Sequence, residues 1–170
     1  MGRDKALIQI DGQPMVDRIG QVLRDAGCVR VSAVGPQSLA GGCDPVDDLH
    51  PGEGPLGGIL TSLAAQSPEI THVCVVACDL PRLDSATIRG LIDRVTSPED
   101  GPVDVVMAHT DRIEPLCAIW ATGSREVLQL AFERGERALH SAMKHLNVAL
   151  VEVPEDVLRN VNTPDDLPSR

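Results

Sequence analysis

Asp79 has the surroundings of a working carboxylate. It stands directly behind His72-Val73-Cys74-Val75-Val76-Ala77-Cys78 and ahead of Leu80-Pro81. So apolar a run predicts a strand over 72–78, buried on both faces of a parallel sheet. Open α/β sheets bind ligands beyond the carboxyl ends of their strands. A carboxylate at that place can hold Mg²⁺ against a triphosphate; a helix cap or a plain loop carboxylate would use the same residue. A second candidate is Pro51-Gly52-Glu53-Gly54-Pro55-Leu56-Gly57-Gly58. Its glycines let backbone approach a ligand closely, and the helix that follows offers free N–H groups. No Lys-Ser/Thr follows, so it is not a Walker sequence, and a tight loop is the alternative. Lys5 by itself reads as solvated surface. Asn160-Val161-Asn162-Thr163-Pro164 offers neutral oxygen ligands or simply a turn into a terminal helix. Gly135-Glu136-Arg137 reads as a solvated turn. The five histidines show no ligand spacing, and there is no Gly-x-Ser-x-Gly elbow or Cys–His nucleophile.

The elements that must carry these groups alternate. Residues 6–9 predict a short extended piece turning at Asp11-Gly12. Pro14 suits the first turn of a helix with Val16, Ile19, Val22, Leu23 and Ala26 on one face, stopped by Gly27. A strand over 29–34 and a Gly/Pro-rich loop over 35–44 follow. Pro55 begins a helix through Ile59, Leu60 and Leu63, and Asp84 caps another with Ile88, Leu91, Ile92 and Val95 inward. Strands are predicted over 103–108, 116–120 and 148–153, and helices over 124–132 and 138–146. The pattern predicts one α/β domain over residues 1–170, Rossmann-like and doubly wound, with a mostly parallel sheet.

Composition narrows the chemistry. Trp120 and Phe132 are the sole aromatics, so the core must be aliphatic and a base-stacking platform is excluded. The formal net charge of −10 disfavours DNA and RNA, though a single nucleotide with a divalent ion remains compatible. No apolar run reaches the roughly 20 residues that span a bilayer, and the opening residues lack a signal sequence. A cytoplasmic protein without membrane contact is expected. Cys74 and Cys78, four apart in the predicted strand, should share a face. No cysteine pair has zinc-knuckle spacing, so all five read as free thiols.

Taken together, Met1-Gly2-Arg3-Asp4-Lys5-Ala6-Leu7, Gly54-Pro55-Leu56-Gly57-Gly58, Cys78-Asp79-Leu80-Pro81, Pro115-Leu116-Cys117-Ala118-Ile119-Trp120, Gly135-Glu136-Arg137 and Asn160-Val161-Asn162-Thr163-Pro164-Asp165-Asp166-Leu167 resemble the molybdenum cofactor guanylyltransferases and the wider MobA-like nucleotidyltransferases. The pieces fall in that family's order over nearly the whole chain. The resemblance implies a nucleotide-diphospho-sugar transferase-like fold that transfers GMP from Mg-GTP to the phosphate of molybdopterin. It implies Lys5 and Asp79 as catalytic residues, with Asp79 and Asn162 as Mg²⁺ ligands. Lys5, Asp47 or Asp48, Gly54, Asn160 and Asn162 are the implied substrate contacts. Transient contact with other molybdenum cofactor or molybdoenzyme proteins is implied as well. CTP or a sugar phosphate as substrate, and a non-catalytic pterin-binding paralogue, are the competing readings. The family opens with a strand and a Leu-x-Gly-Gly-x-Ser-x-Arg run ahead of the methionine at which this sequence starts. The expectation is therefore a sheet lacking its first strand, with a gap or exposed edge and weakened GTP binding. A start set at an internal methionine, a fragment, or a repurposed paralogue would each give such a chain.

Overall fold

The computed structural model describes residues 5–97 and 101–160. After a 3-10 turn at Lys5–Leu7, strands β1 (Gln9–Ile10) and β2 (Gln13–Pro14) form a small antiparallel hairpin. Asp11 (φ 51°) and Gly12 (φ 80°) make its two-residue turn, and both central residues are left-handed as such turns require. Helix α1 (Met15–Asp25) buries Met15, Val16, Ile19, Gly20 and Leu23. It stops at Gly27 (φ 103°), where the Gly27 and Cys28 N–H groups donate to the Arg24 and Leu23 carbonyls.

Two sheets follow. In the first, β3 (Ser32–Val34) pairs parallel with β4 (Asp44–Val46). The second has the order β5 (His72–Val76), β7 (Ile113–Ala121), β6 (Val105–His109), β8 (Val148–Glu152). β7 runs antiparallel to β5 and β6, while β6 and β8 are parallel. β5, β6 and β8 therefore point the same way, and their carboxyl ends share one edge.

Period-two alternation places helices on both faces. Val106, Ala108, Cys117 and Ile119 pack with Val16, Ile19 and Leu23 of α1 and with Ile88 and Leu91 of α3 (Ser85–Thr96). Val105, Met107, Ala118 and Trp120 pack on the other face. Their partners are Leu56, Ile59, Leu60 and Leu63 of α2 (Gly54–Ala64) and Leu128 and Ala131 of α4 (Ser124–Glu133). Asp84 caps α3 as predicted, its Oδ1 accepting from the Thr87 N–H at 2.8 Å. The region predicted as one helix over 138–146 is a four-residue helix α5 (Leu139–Ala142) followed by a 3-10 turn, Met143–His145.

Several expectations need correction. β5 is only partly buried, with His72 exposed, because it is an edge of its sheet: β7 covers one side alone. Cys78 lies in a turn beyond β5 and so does not share a strand face with Cys74. The strand predicted over 29–34 begins only at Ser32, and Val29 is 93% exposed. The sheet is also more mixed than "mostly parallel" suggests, since β7 reverses against both neighbours. Strand β4 was hidden in a predicted loop. Pro45 at its centre cannot donate to a ladder and is tolerated on an edge.

Among the described residues β3 and β5 do not pair, and the groove between them is flanked by both strands. No helix among these residues is long and apolar enough to cross a membrane.

Candidate functional site

The loop that carries Asp79 is pinned at several points. The Ala77 N–H donates to the Leu116 carbonyl at 2.7 Å. Arg18 of α1 donates from Nε to the Pro81 carbonyl at 2.7 Å. Leu80 and Leu83 are buried and anchor the turn in the core. Asp79, half-buried, is thereby presented at the carboxyl end of β5.

A cavity of about 500 Å³ opens at that edge. Its lining includes Ala6, Gly35, Asp48, Pro55, Gly58 and Cys78. Residues drawn from five separate sequence segments meet there. Ala6 belongs to the same 3-10 turn as Lys5, and Cys78 immediately precedes Asp79.

Of the two acidic candidates, Asp48 lines this cavity and Asp47 is exposed outside its lining. Asp48 is held: its Oδ1 accepts from the His50 N–H at 2.9 Å and from the Thr61 hydroxyl at 3.1 Å. Thr61 is fully buried and accepts in turn from the Leu49 N–H at 3.1 Å.

The glycine segment divides into distinct tasks. Gly54 (φ 75°) starts α2 in a left-handed conformation that favours glycine. A Cβ on Gly57 would lie 2.8 Å from the His50 Cβ, so this glycine lets α2 close onto the loop before it. The same loop is clamped from the end of α4 and the segment after it. Arg137 forms an ion pair with Glu53, and its guanidinium sits 3.8 Å above the Phe132 ring. Phe132 also contacts His50, with ring centroids 4.6 Å apart. Arg137 stays exposed, as a solvated turn would have it, and also braces the glycine loop.

Asn160 does not line this cavity. It lines a second one of about 370 Å³, polar in character, with Arg112, Glu114, Glu155 and Arg159. That cavity gathers the β6–β7 turn and the segment after β8, which lie on the same sheet edge as Asp79 because β5, β6 and β8 run alike. Asn162 and the predicted terminal helix lie outside the described residues. Arg112 and Arg159 carried no motif in the sequence; Arg159 adjoins Asn160 in the chain, and the fold brings Arg112 to the same cavity.

Among the described residues no three His, Cys, Asp or Glu side chains form a metal-binding group. Mg²⁺ asks for none: it commonly takes one or two carboxylates and fills its octahedron with phosphate oxygens and water. The half-buried carboxylate of Asp79 is an oxygen donor of the kind that hard cation takes.

All five cysteines are free thiols. The Cys74 thiol donates a hydrogen bond to Cys28, which brings Cys28 from 9.0 down to about 7 although burial opposes the shift. The same contact, with burial, pushes Cys74 upward. Cys28 should thus be alkylated by iodoacetamide along a pH profile with its midpoint near 7, and Cys74→Ala should move that midpoint upward. A folded value below the unfolded one favours the thiolate. The stability it contributes is complete above about 9 and is lost as pH falls through about 7. A midpoint unchanged by Cys74→Ala would dissolve the pairing.

The MobA-like NTP transferase domain family matches residues 1–148. A molybdenum cofactor guanylyltransferase of Xanthomonas euvesicatoria pv. vesicatoria is 31% identical over 170 residues, covering 97% of this chain and 84% of that protein. One from Pseudomonas fluorescens is 31% identical, covering 96% and 82%. Among solved structures, the molybdopterin-guanine dinucleotide biosynthesis protein A of Archaeoglobus fulgidus superimposes with a TM-score of 0.76 at 22% identity, covering 97% of this chain and 87% of that one. The 2-C-methyl-D-erythritol 4-phosphate cytidylyltransferase of Thermus thermophilus gives 0.69 at 18%, covering 95% and 89%. The two structures share the fold.

Proposed function

This chain belongs to the MobA-like NTP transferase family, and from that premise we propose that it transfers GMP from GTP to the terminal phosphate of molybdopterin and releases pyrophosphate. The observation that carries the proposal is the meeting of Asp48, the start of α2 and Cys78, the residue before Asp79, around one cavity at the carboxyl edge of the sheet.

The reaction forms a bond between an acceptor phosphate oxygen and the α-phosphorus of GTP. It breaks the bond between that phosphorus and the oxygen leading to the β-phosphate, and the electron pair leaves on pyrophosphate. The acceptor supplies its own nucleophile, so the protein contributes position and charge rather than a covalent intermediate. Asp79 holds Mg²⁺, with Asn162 as its second proposed ligand. When bound, the ion offsets charge developing on the α-phosphate and leaving group. Lys5 neutralises phosphate charge, and the backbone around Gly54 accepts the nucleotide closely. Asp48, rather than Asp47, is the acidic nucleotide contact, because Asp48 faces the cavity. Asn160 contacts the acceptor from the neighbouring polar cavity, where Arg112 and Arg159 supply positive charge.

The test is incubation of the chain with molybdopterin, Mg²⁺ and either GTP or CTP, with pyrophosphate and the dinucleotide product measured. GTP-dependent formation of both is expected. Product from CTP alone moves the chain to the cytidylyl branch. Molybdopterin binding without turnover of either nucleotide leaves the pterin-binding paralogue.

A further inference from the structure

Glu53 stands where a capping residue belongs and does not cap. It is the N-cap of α2, yet its side chain bonds to none of the helix's first N–H groups. The Glu53 N–H is already given to the His50 carbonyl at 3.1 Å, and Pro55 has none to give. Gly54 and Leu56 therefore hold the orphan donors of the first turn. A carboxylate at the N-cap can take the Leu56 N–H and is drawn there by the positive end of the helix dipole. The Glu53 carboxylate is instead taken by the Arg137 Nε.

Arg137 is prepared to hold it. Its Nη1 donates to the Phe132 carbonyl at 2.8 Å and to the Glu136 carbonyl at 3.0 Å, and the guanidinium lies over the Phe132 ring. A cation already fixed in this way loses little further freedom on binding a carboxylate. Both side chains of the pair are partly exposed, so it adds little to stability. What it governs is where a negative charge sits. Pro55 and Gly58 of α2 line the proposed nucleotide cavity, whereas Glu53, Phe132 and Arg137 do not.

We propose that Arg137 is a positioning residue for the nucleotide: by holding the Glu53 carboxylate, it keeps the Gly54 and Leu56 N–H groups open to an oxygen of the bound nucleotide. Without the arginine, the Glu53 carboxylate caps α2, occupies the Leu56 N–H and sets a negative charge beside the triphosphate. This role rests on the transfer reading above.

The test is a set of variants of the full chain, with pyrophosphate release measured against GTP concentration. Arg137→Ala should raise KM for GTP about tenfold and leave kcat nearly unchanged. Glu53→Ala should keep KM within about twofold of the parent, because no carboxylate remains to compete. Arg137→Ala combined with Glu53→Ala should bring KM back to within about threefold. Arg137→Lys, which keeps the charge, should stay in the same range. A merely structural brace gives the opposite order, with Glu53→Ala as harmful as Arg137→Ala and no recovery in the double variant; that result would overturn the proposal. A second measurement needs no nucleotide. In Arg137→Ala the Leu56 amide should exchange with solvent about tenfold more slowly than in the parent, and the double variant should lose that protection. An unchanged Leu56 amide overturns the proposal whatever the kinetics. A parent chain that turns over no GTP defeats the transfer reading instead, and the amide then still decides where the Glu53 carboxylate goes. Should Arg137→Ala not fold, Arg137→Gln, which keeps a donor for the Phe132 carbonyl, takes its place.

Discussion

Asp79→Asn is expected to reduce Mg²⁺-dependent transfer by about a thousandfold, equivalent to about 4 kcal/mol of barrier, with the fold unchanged. The substitution keeps the side chain's shape and removes one negative charge. The amide oxygen can still ligate, as proposed for Asn162, but without the carboxylate's charge it holds a hard dication less tightly beside three phosphates. The fold should survive because the turn is fastened elsewhere: by the Arg18 bond to Pro81, by the Ala77 bond to Leu116, and by buried Leu80 and Leu83. The measurement is pyrophosphate release against Mg²⁺ concentration, together with a urea melt. The loss should appear mainly in turnover, and excess Mg²⁺ should recover part of it. Near-normal turnover in a folded variant would remove Asp79 from the metal site and with it the proposed mechanism.

How far the sequence foretold this site depends on how local each signal was. The Asp79 turn was legible because a strand, a carboxylate and a proline follow one another in the chain. The Asp84 cap and the Asp11-Gly12 turn were legible for the same reason: each is settled by neighbours within three residues. That Asp48 and not Asp47 lines the cavity was not legible. Asp48 is held by Thr61, 13 residues away. The bracing of the glycine loop by Arg137 was missed too, because its partner Glu53 is 84 residues distant. β5 was misjudged as fully buried because its composition reports what a strand can bury, whereas burial depends on what stands beside it.

The same dependence of the site on a remote core gives the largest stability effect expected in the molecule. Trp120 is fully buried in β7, beside Val73 of β5 and Val105 of β6 in the ladder. It packs in the cluster formed with α2 and α4. The chain's other aromatic, Phe132, packs against the same cluster but is already engaged by His50 and Arg137, and the surrounding aliphatic side chains are packed against one another. Trp120→Ala should therefore cost about 3–5 kcal/mol, a large share of the roughly 5–15 kcal/mol that holds a domain together. Its Nε1 is buried with no hydrogen-bond partner among the described residues. Trp120→Phe sheds that unsatisfied donor while keeping most of the ring, so its cost should stay under about 1.5 kcal/mol. Urea unfolding followed by far-ultraviolet circular dichroism measures both, and an alanine variant within about 1 kcal/mol of the parent would mean the cluster collapses around the lost ring. The functional consequence follows from the register. Trp120 lies on the strand whose Leu116 carbonyl fixes Ala77, so a folded alanine variant that loosens β7 should also lose turnover by releasing the turn that aims Asp79.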